Sequence, residues 1–380
     1  MLIKRGNNIV AESGSACKLG TGVYTLNFDS NASRYYLVEA SPLELPDKMY
    51  DLLAIRRRCG RWLSAFRRAK KNIGVLLTGL KGSGKTVTAQ YLCLASNMPV
   101  ILLTKPVENN DAFFEFMCSP DLRESVVFID EFEKIFVPES VAAPGRVSNE
   151  RCLPMLHLMD GNYMTRFLFV LTANGTIPDG FNNRLGRVRY RENYGTLSLR
   201  TVVKYLKDNL DEERQPQAAD IAALVDKIGM STYDILYHLV DELNHTKGAP
   251  LDVLCGLNVS YVEREFRAKV RMISPKKTGW LDAGSRRFNP YFGQTNVTVQ
   301  HSEPAEYLKI MPERLLEFED TLQLCEFNTL TNAGGSIIRG DFEIKFEVDN
   351  YVRGAFTGFG GLVIPRDTCN DDAVPNWRSV

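Results

Sequence analysis

Between residues 73 and 174 the chain alternates unbroken apolar runs with stretches in which apolar residues recur every three or four positions. IGVLLTG, MPVILLT, SVVFIDE and FLFVLTANG have the length and β-branched content of strands buried on both faces of a parallel sheet, and the stretches between them can supply the crossovers. This is an α/β pattern. Upstream, LLAIRRRCGRWLSAFRRAKK spaces Leu53, Ile55, Cys59, Trp62, Leu63 and Phe66 two to four apart among eight basic residues, which predicts a helix. Before it, GVYTLNF and YYLVEA flank Asp29–Ala32 and predict a small hairpin, so that residues 1–45 form an amino-terminal β-hairpin appendage.

After Arg191 the chain turns strand-poor. LRTVVKYLKDNL, ADIAALVDKIG, TYDILYHLVDELN and APLDVLCGL repeat at helical spacing, and VEREFRAKVRM is expected to extend this bundle. A Pro, Gly and Arg stretch then leads to the alternating DFEIKFEV, in which Phe342, Ile344, Phe346 and Val348 share one strand face. The expected organisation is an α/β domain over 46–192, a small helical domain over 193–274 and a β-rich carboxyl-terminal domain over 280–380, with the chain changing character along a Pro and Gly stretch near 275–293.

Composition narrows the class. Apolar residues make up 44% and charged residues 24%, which excludes global disorder and fibrous repeats. Lys plus Arg and Asp plus Glu each total 46, so any basic surface must be local. Eight single cysteines without a C-x-x-C argue against structural zinc and for a reducing compartment. No 18-residue apolar run and no signal-like amino end occur, so a cytoplasmic protein with no membrane partner is expected.

The chemistry is concentrated in three places. Gly79-Leu80-Lys81-Gly82-Ser83-Gly84-Lys85-Thr86 satisfies G-x-x-x-x-G-K-[ST] between a strand and a helix, the context a P-loop (Walker A) requires. Gly79, Gly82, Ser83 and Gly84 let successive amides turn towards phosphates at a helix amino end, Lys85 supplies a point charge, and the Thr86 hydroxyl can ligate Mg2+. SVVFIDE, 45 residues after Lys85, is of the Walker B kind: a buried strand delivers Asp130 to the Mg2+ shell and Glu131 to an attacking water. FLFVLTANG ends in Asn174, whose amide could reach a γ-phosphate or that water. Ten residues later Arg184-Leu185-Gly186-Arg187 offers two guanidiniums suited to phosphate.

P-loop, Asp-Glu, strand-borne Asn and R-x-G-R in this order resemble an AAA+ ATPase of the AAA clade, over about residues 70–255. LHLMDG, FLFVLTANG and NNRLGRVRY are similar to that family's leucine-rich run, first sensor and arginine-finger segment. The resemblance implies a P-loop NTPase parallel sheet with a small helical lid, to which this chain adds its β-rich carboxyl-terminal domain. It further implies ATP and Mg2+ as cofactors, Asn174 as first sensor, and a homo-oligomeric ring, by family likeness a hexamer, in which Arg184 and Arg187 reach a neighbour's nucleotide. The short connection from MPVILLT to SVVFIDE resembles the mitochondrial Rieske-protein chaperone, and the arrangement also resembles phage-encoded AAA ATPases. The chain departs from the family at Leu185, where proline is usual. It lacks an arginine in Gly229-Met230-Ser231-Thr232, and it carries Lys105-Pro106-Val107-Glu108-Asn109-Asn110 where unfoldases have an aromatic pore loop.

Two functions stand side by side, with a nucleotide-gated scaffold that hydrolyses slowly as a third class. A protein-remodelling chaperone fits the Rieske-chaperone likeness and the zero net charge, and a protein substrate is favoured over nucleic acid. A nucleic-acid motor or loader of phage or bacterial replication fits the basic stretch from Arg56 to Lys71, where Trp62 and Phe66 invite stacking, and a second cluster from Arg264 to Arg287. For the first basic stretch the favoured reading is an amphipathic helix packed on the ATPase core with a solvated basic face.

Overall fold

The computed structural model describes residues 2–5, 8–11, 19–136, 152–161, 165–174, 177, 179–181, 184–229, 231–259, 263–291, 294–300, 305–324, 329–331 and 333–348. Its first part comprises β1 (Leu2–Arg5), β2 (Asn8–Ala11), β3 (Val23–Asp29), β4 (Arg34–Glu39), α1 (Leu52–Arg68), β5 (Ile73–Gly79), α2 (Lys85–Ser96), β6 (Val100–Leu102), α3 (Asn110–Met117), β7 (Val126–Ile129), α4 (Phe132–Phe136), α5 (Leu153–Met159), β8 (Leu168–Ala173) and β9 (Tyr190–Tyr194). The strands form one nine-stranded sheet in the order β1-β2-β4-β3-β6-β7-β8-β5-β9. From β3 to β9 every neighbouring pair is parallel, which brings the carboxyl ends of β5, β7 and β8 to one edge.

Burial on both faces explains the unbroken apolar runs. Leu76, Val127, Ile129, Phe169 and Leu171 pack under α3 and α5, whereas Val75, Leu77, Val126, Phe128 and Val170 pack under α1 and α2. The amino-terminal strands are not an appendage. β3 pairs in parallel with β6, Val23 opposite Val100 and Thr25 opposite Leu102, and its own two faces are both partly buried, so the hairpin extends the main sheet.

The lid comprises α6 (Leu199–Asn209), α7 (Ala218–Ile228), α8 (Tyr233–His245) and α9 (Pro250–Gly256), packed around Leu206, Ile221, Val225, Leu239 and Leu243. Ser198 and Thr232 cap α6 and α8 by accepting from the amides of Thr201 and Ile235. Gly229, at φ +76°, ends α7 in the left-handed conformation that glycine adopts without strain.

The remainder comprises β10 (Arg264–Met272), β11 (Leu281–Phe288), β12 (Gln294–Thr298), α10 (Ala305–Leu308), α11 (Glu313–Leu316), β13 (Glu319–Gln323), β14 (Gly334–Arg339) and β15 (Phe342–Val348). A four-stranded sheet runs β11-β10-β15-β14, beside a β12-β13 pair, around Phe266, Val270, Leu281, Leu322, Ile344 and Phe346. Within the expected helical extension VEREFRAKVRM, Arg264–Met272 is instead a strand. Phe266, Ala268, Val270 and Met272 alternate inward at period two, and pairing on both sides, with β11 and with β15, places this strand inside the second sheet. By strand pairing the β-rich part begins at Arg264 rather than near 280.

Candidate active site

The P-loop leaves β5 at Gly79 and enters α2 at Lys85. Gly79 must be glycine for two reasons: its φ is +126°, and a Cβ there would lie 2.0 Å from the Tyr194 carbonyl oxygen on the neighbouring strand. Gly82 and Gly84 also have positive φ, +71° and +93°, so the loop winds through conformations that side chains disfavour and turns its amides inward. Ser83 donates to the Leu80 carbonyl at 2.6 Å. Lys85, 5% exposed, donates from Nζ to the carbonyls of Gly79 (3.1 Å) and Leu80 (2.5 Å). Burial holds its ammonium below the ordinary lysine value, opposed by the carboxylates of Glu133, Asp130 and Glu131.

Strand register assembles the acidic side. Ile129 on β7 lies opposite Leu171 on β8, so Asp130 and Thr172 emerge together. Thr172 Oγ1 donates to Asp130 Oδ1 at 2.5 Å and accepts from the Glu131 amide at 2.8 Å, while Thr86 Oγ1 donates to the same Asp130 oxygen at 3.0 Å. One hydroxyl thus fixes both carboxylate residues. Thr86 and Asp130 present adjacent hard oxygen donors, which fit Mg2+ with a nucleotide bound. Glu131 has φ +50°, uncommon for a residue with a side chain and characteristic of functional turns. Its carboxylate accepts from Asn174 Nδ2 (3.1 Å) and pairs with Lys134 Nζ (2.5 Å).

Asn174 is itself anchored, because its backbone amide donates to Glu133 Oε1 at 2.8 Å. Glu133 was not evident from sequence. The third acid of D-E-F-E was a possible signal, but a carboxylate four residues past a strand end is ordinary by itself. The other Glu133 oxygen is buried without a partner among the described residues.

The two arginines of R-x-G-R part company. Arg184 is exposed. Arg187, 7% exposed, makes a bidentate pair with Asp160, Nε to Oδ1 at 2.6 Å and Nη2 to Oδ2 at 2.7 Å, and its Nη1 donates to the Gly180 carbonyl at 2.7 Å. The Arg187 guanidinium holds the Asp160 carboxyl below the usual carboxylate range. Each of its three nitrogens is engaged within its own chain.

A cavity of about 830 Å³ lies between the P-loop, the linker before α1 and the lid. Glu131, Thr172 and Asn174 reach into its polar end, and Met49, Ile55 and Leu197 line the apolar part. Tyr50, Tyr205 and Tyr233 form a ring cluster with centroids 5.1 to 6.1 Å apart, and Asn209 Nδ2 donates to the Tyr50 hydroxyl at 2.7 Å, tying linker to lid. The Tyr233 amide donates to the Gly82 carbonyl at 2.9 Å, so the start of α8 rests on the P-loop. An apolar chamber ending in phosphate donors, a lysine and two carboxylates suits a nucleoside triphosphate. These tyrosines were missed because they are scattered over almost 190 residues and meet only when the lid folds back.

Fold and site together define a P-loop NTPase. Residues 75–195 match the model of the AAA family, the ATPase family associated with various cellular activities, so the chain carries an AAA domain with a mostly parallel central sheet and additional β-rich carboxyl-terminal sheets. Proteins of that family bind ATP, normally with Mg2+. No curated protein matches the chain. Among the described residues no helix is long and apolar enough to cross a membrane.

Proposed function

We propose that this chain hydrolyses ATP to ADP and phosphate and uses the cycle to remodel or assemble a macromolecular partner. The observation that carries the reading is the convergence of Lys85, Thr86, Glu131 and Asn174 on one end of the cavity, with Asp130 joined to Thr86 by a hydrogen bond. The P-loop amides and Lys85 hold the phosphates, and Thr86 with Asp130 would hold Mg2+, which would supply neutralising charge there. Glu131 orients the lytic water and polarises it, and Asn174 fixes both that carboxylate and the γ-phosphate side.

In this reading the subunits form a ring, a hexamer by family likeness, and Arg184 enters the neighbour's site. An arginine placed on the developing phosphoryl charge is worth about 10³ to 10⁵ in rate in P-loop enzymes. Arg187 sets the shape of the turn that presents Arg184, through Asp160. The partner is a protein, handled as the Rieske-protein chaperone and phage AAA ATPases of similar layout suggest, in the cytoplasm. Aromatic threading is not part of the proposal. Glu108 donates its amide to the Tyr35 hydroxyl and Asn109 donates to Ser33, which ties the 105–110 segment to the β3–β4 hairpin, and Phe113 and Phe116 are core.

Mixing Arg184→Ala with Glu131→Gln protein tests the shared site. Each is inactive alone, and mixed rings regain part of the ATPase activity where an intact Arg184 faces an intact Glu131. No recovery after verified subunit exchange overturns the shared site.

A further inference from the structure

We infer that the solvent face of α1 is a docking ridge for the phosphate backbone of double-stranded nucleic acid, bound without regard to sequence. This goes beyond ATP hydrolysis and does not depend on it. α1 spans 17 residues, about 25 Å of helix. Its inner face buries Trp62 at 0% and Phe66 at 3% exposure, so neither ring can stack on a base, and the stacking suggested by sequence is corrected. What remains outside is charge. Arg56, Arg57, Arg61, Arg67 and Arg68 are all exposed, and Lys70 and Lys71 continue the line.

Among the described residues these cations have no counter-charge. None of them forms an ion pair among the described residues, whereas Arg58 is paired with Glu192 and Arg166 with Glu124. The helix contains no acid of its own. Nor are its arginines needed to cap the helix: Arg166 donates to the carbonyls of Phe66, Arg67 and Ala69 at the carboxyl end. Arg61 and Arg189 also lie over the same Tyr190 ring, at 5.6 and 5.8 Å, which carries the ridge onto the edge strand β9.

Gly60 is a second, independent sign. It sits mid-helix on the exposed face, and a Cβ there would meet nothing within 4 Å, so no contact inside the fold requires a glycine that weakens the helix. Gly60 and Ser64 are the small exposed residues between arginines 56/57, 61 and 67/68, and Ser64 Oγ accepts from Arg68 Nη1 at 2.8 Å, so little bulk besides the guanidiniums stands between this face and a broad rod. Guanidinium forks suit phosphate oxygens. A protein partner would be expected to find an apolar centre, but Leu53, at the helix start, is the one large apolar residue of α1 that is exposed. The chain's own remaining segments offer no strong acidity: 137–151 holds two acids and two arginines, and 349–380 holds four acids and three arginines.

The test uses the full chain and a labelled 30-base-pair duplex of random sequence, with binding read by anisotropy from 50 to 300 mM KCl. For about five neutralised phosphates, log K falls with log salt at a slope of about −4 to −5. The exposed triple variant Arg57→Glu/Arg61→Glu/Arg67→Glu keeps the wild-type Tm and DNA-free ATPase rate, loses binding at least about tenfold, and flattens the slope by about 3. Gly60→Leu, which favours the helix, weakens binding while raising or preserving Tm. An oligo(dT) of equal charge binds no tighter than the duplex. No binding at 50 mM KCl, wild-type binding by the triple variant, tighter binding of oligo(dT), or equal binding of a polyglutamate peptide, which would signal an acidic protein partner, each overturns the proposal.

Discussion

Arg187→Ala and Arg184→Ala, three residues apart in one turn, are expected to fail in different ways. Removing Arg187 takes two charge-assisted bonds from Asp160 and one from the Gly180 carbonyl. Breaking a buried pair by deleting one partner costs about 3 to 5 kcal/mol. Asp160 keeps 29% of its side chain exposed, so water recovers part of its solvation and the cost falls to about 2 to 3 kcal/mol. At roughly 2 to 4 °C per kcal/mol, the variant's Tm should drop by about 4 to 12 °C. The penalty depends on pH in a definite sense. The folded carboxyl of Asp160 titrates below its unfolded value, so its stabilisation is complete above the unfolded pKa and is lost as pH falls through the folded one. The difference between wild type and variant is therefore full at pH 7 and narrows below about pH 4. Arg184→Ala should stay within about 1 °C of wild type at both pH values and lose turnover instead. Thermal unfolding by circular dichroism at pH 7 and pH 3.5, beside an ATPase assay, separates the two. A wild-type Tm for Arg187→Ala together with lost turnover would refute the structural role and make Arg187 the residue that leaves its own chain.

Lys85→Ala should abolish ATP binding in calorimetry, because the buried ammonium held against the P-loop carbonyls of Gly79 and Leu80 is gone while the fold persists. Gly82→Ala should raise KM for ATP at least several-fold, since φ is +71° and the new methyl would lie 2.4 Å from Asp234 Cβ, forcing the lid off the P-loop; an unchanged KM would mean the lid does not close there. Lys134→Ala should raise the basal ATPase rate up to a few-fold, because Lys134 now occupies one oxygen of Glu131; a lower rate would make Lys134 a supporting residue.

The parallel sheet and its phosphate loop were legible because both signals are local. A strand buried on two faces is an unbroken apolar run, and a loop that cradles phosphate is a contiguous string of glycines. Two errors came from strands whose partners lie far away. β3 does form the expected hairpin with β4, but it looked like a separate appendage because its other pairing, with β6, spans more than seventy residues, and β10 looked helical because its basic residues at 264, 267 and 271 also fit a spacing of three and four. Arg187 could not be told from Arg184 in sequence. What distinguishes them is Asp160, 27 positions earlier, which approaches only after the α5 turn and the R-x-G-R turn pack together. The ring cluster of Tyr50, Tyr205 and Tyr233 belongs to the same class of contact.

The central claim is that Glu131 turns a nucleotide-binding cavity into an ATPase, and the direct measurement is single-turnover hydrolysis of γ-labelled ATP with Mg2+, alongside ATP affinity, for wild type and Glu131→Gln. The variant keeps the shape of the side chain, the bond from Asn174 and the P-loop, but not the carboxylate that polarises water. It should bind ATP within about threefold of wild type and release phosphate at least 100-fold more slowly. Hydrolysis by Glu131→Gln at the wild-type rate, or no hydrolysis by the wild-type chain at any protein concentration, would contradict the account.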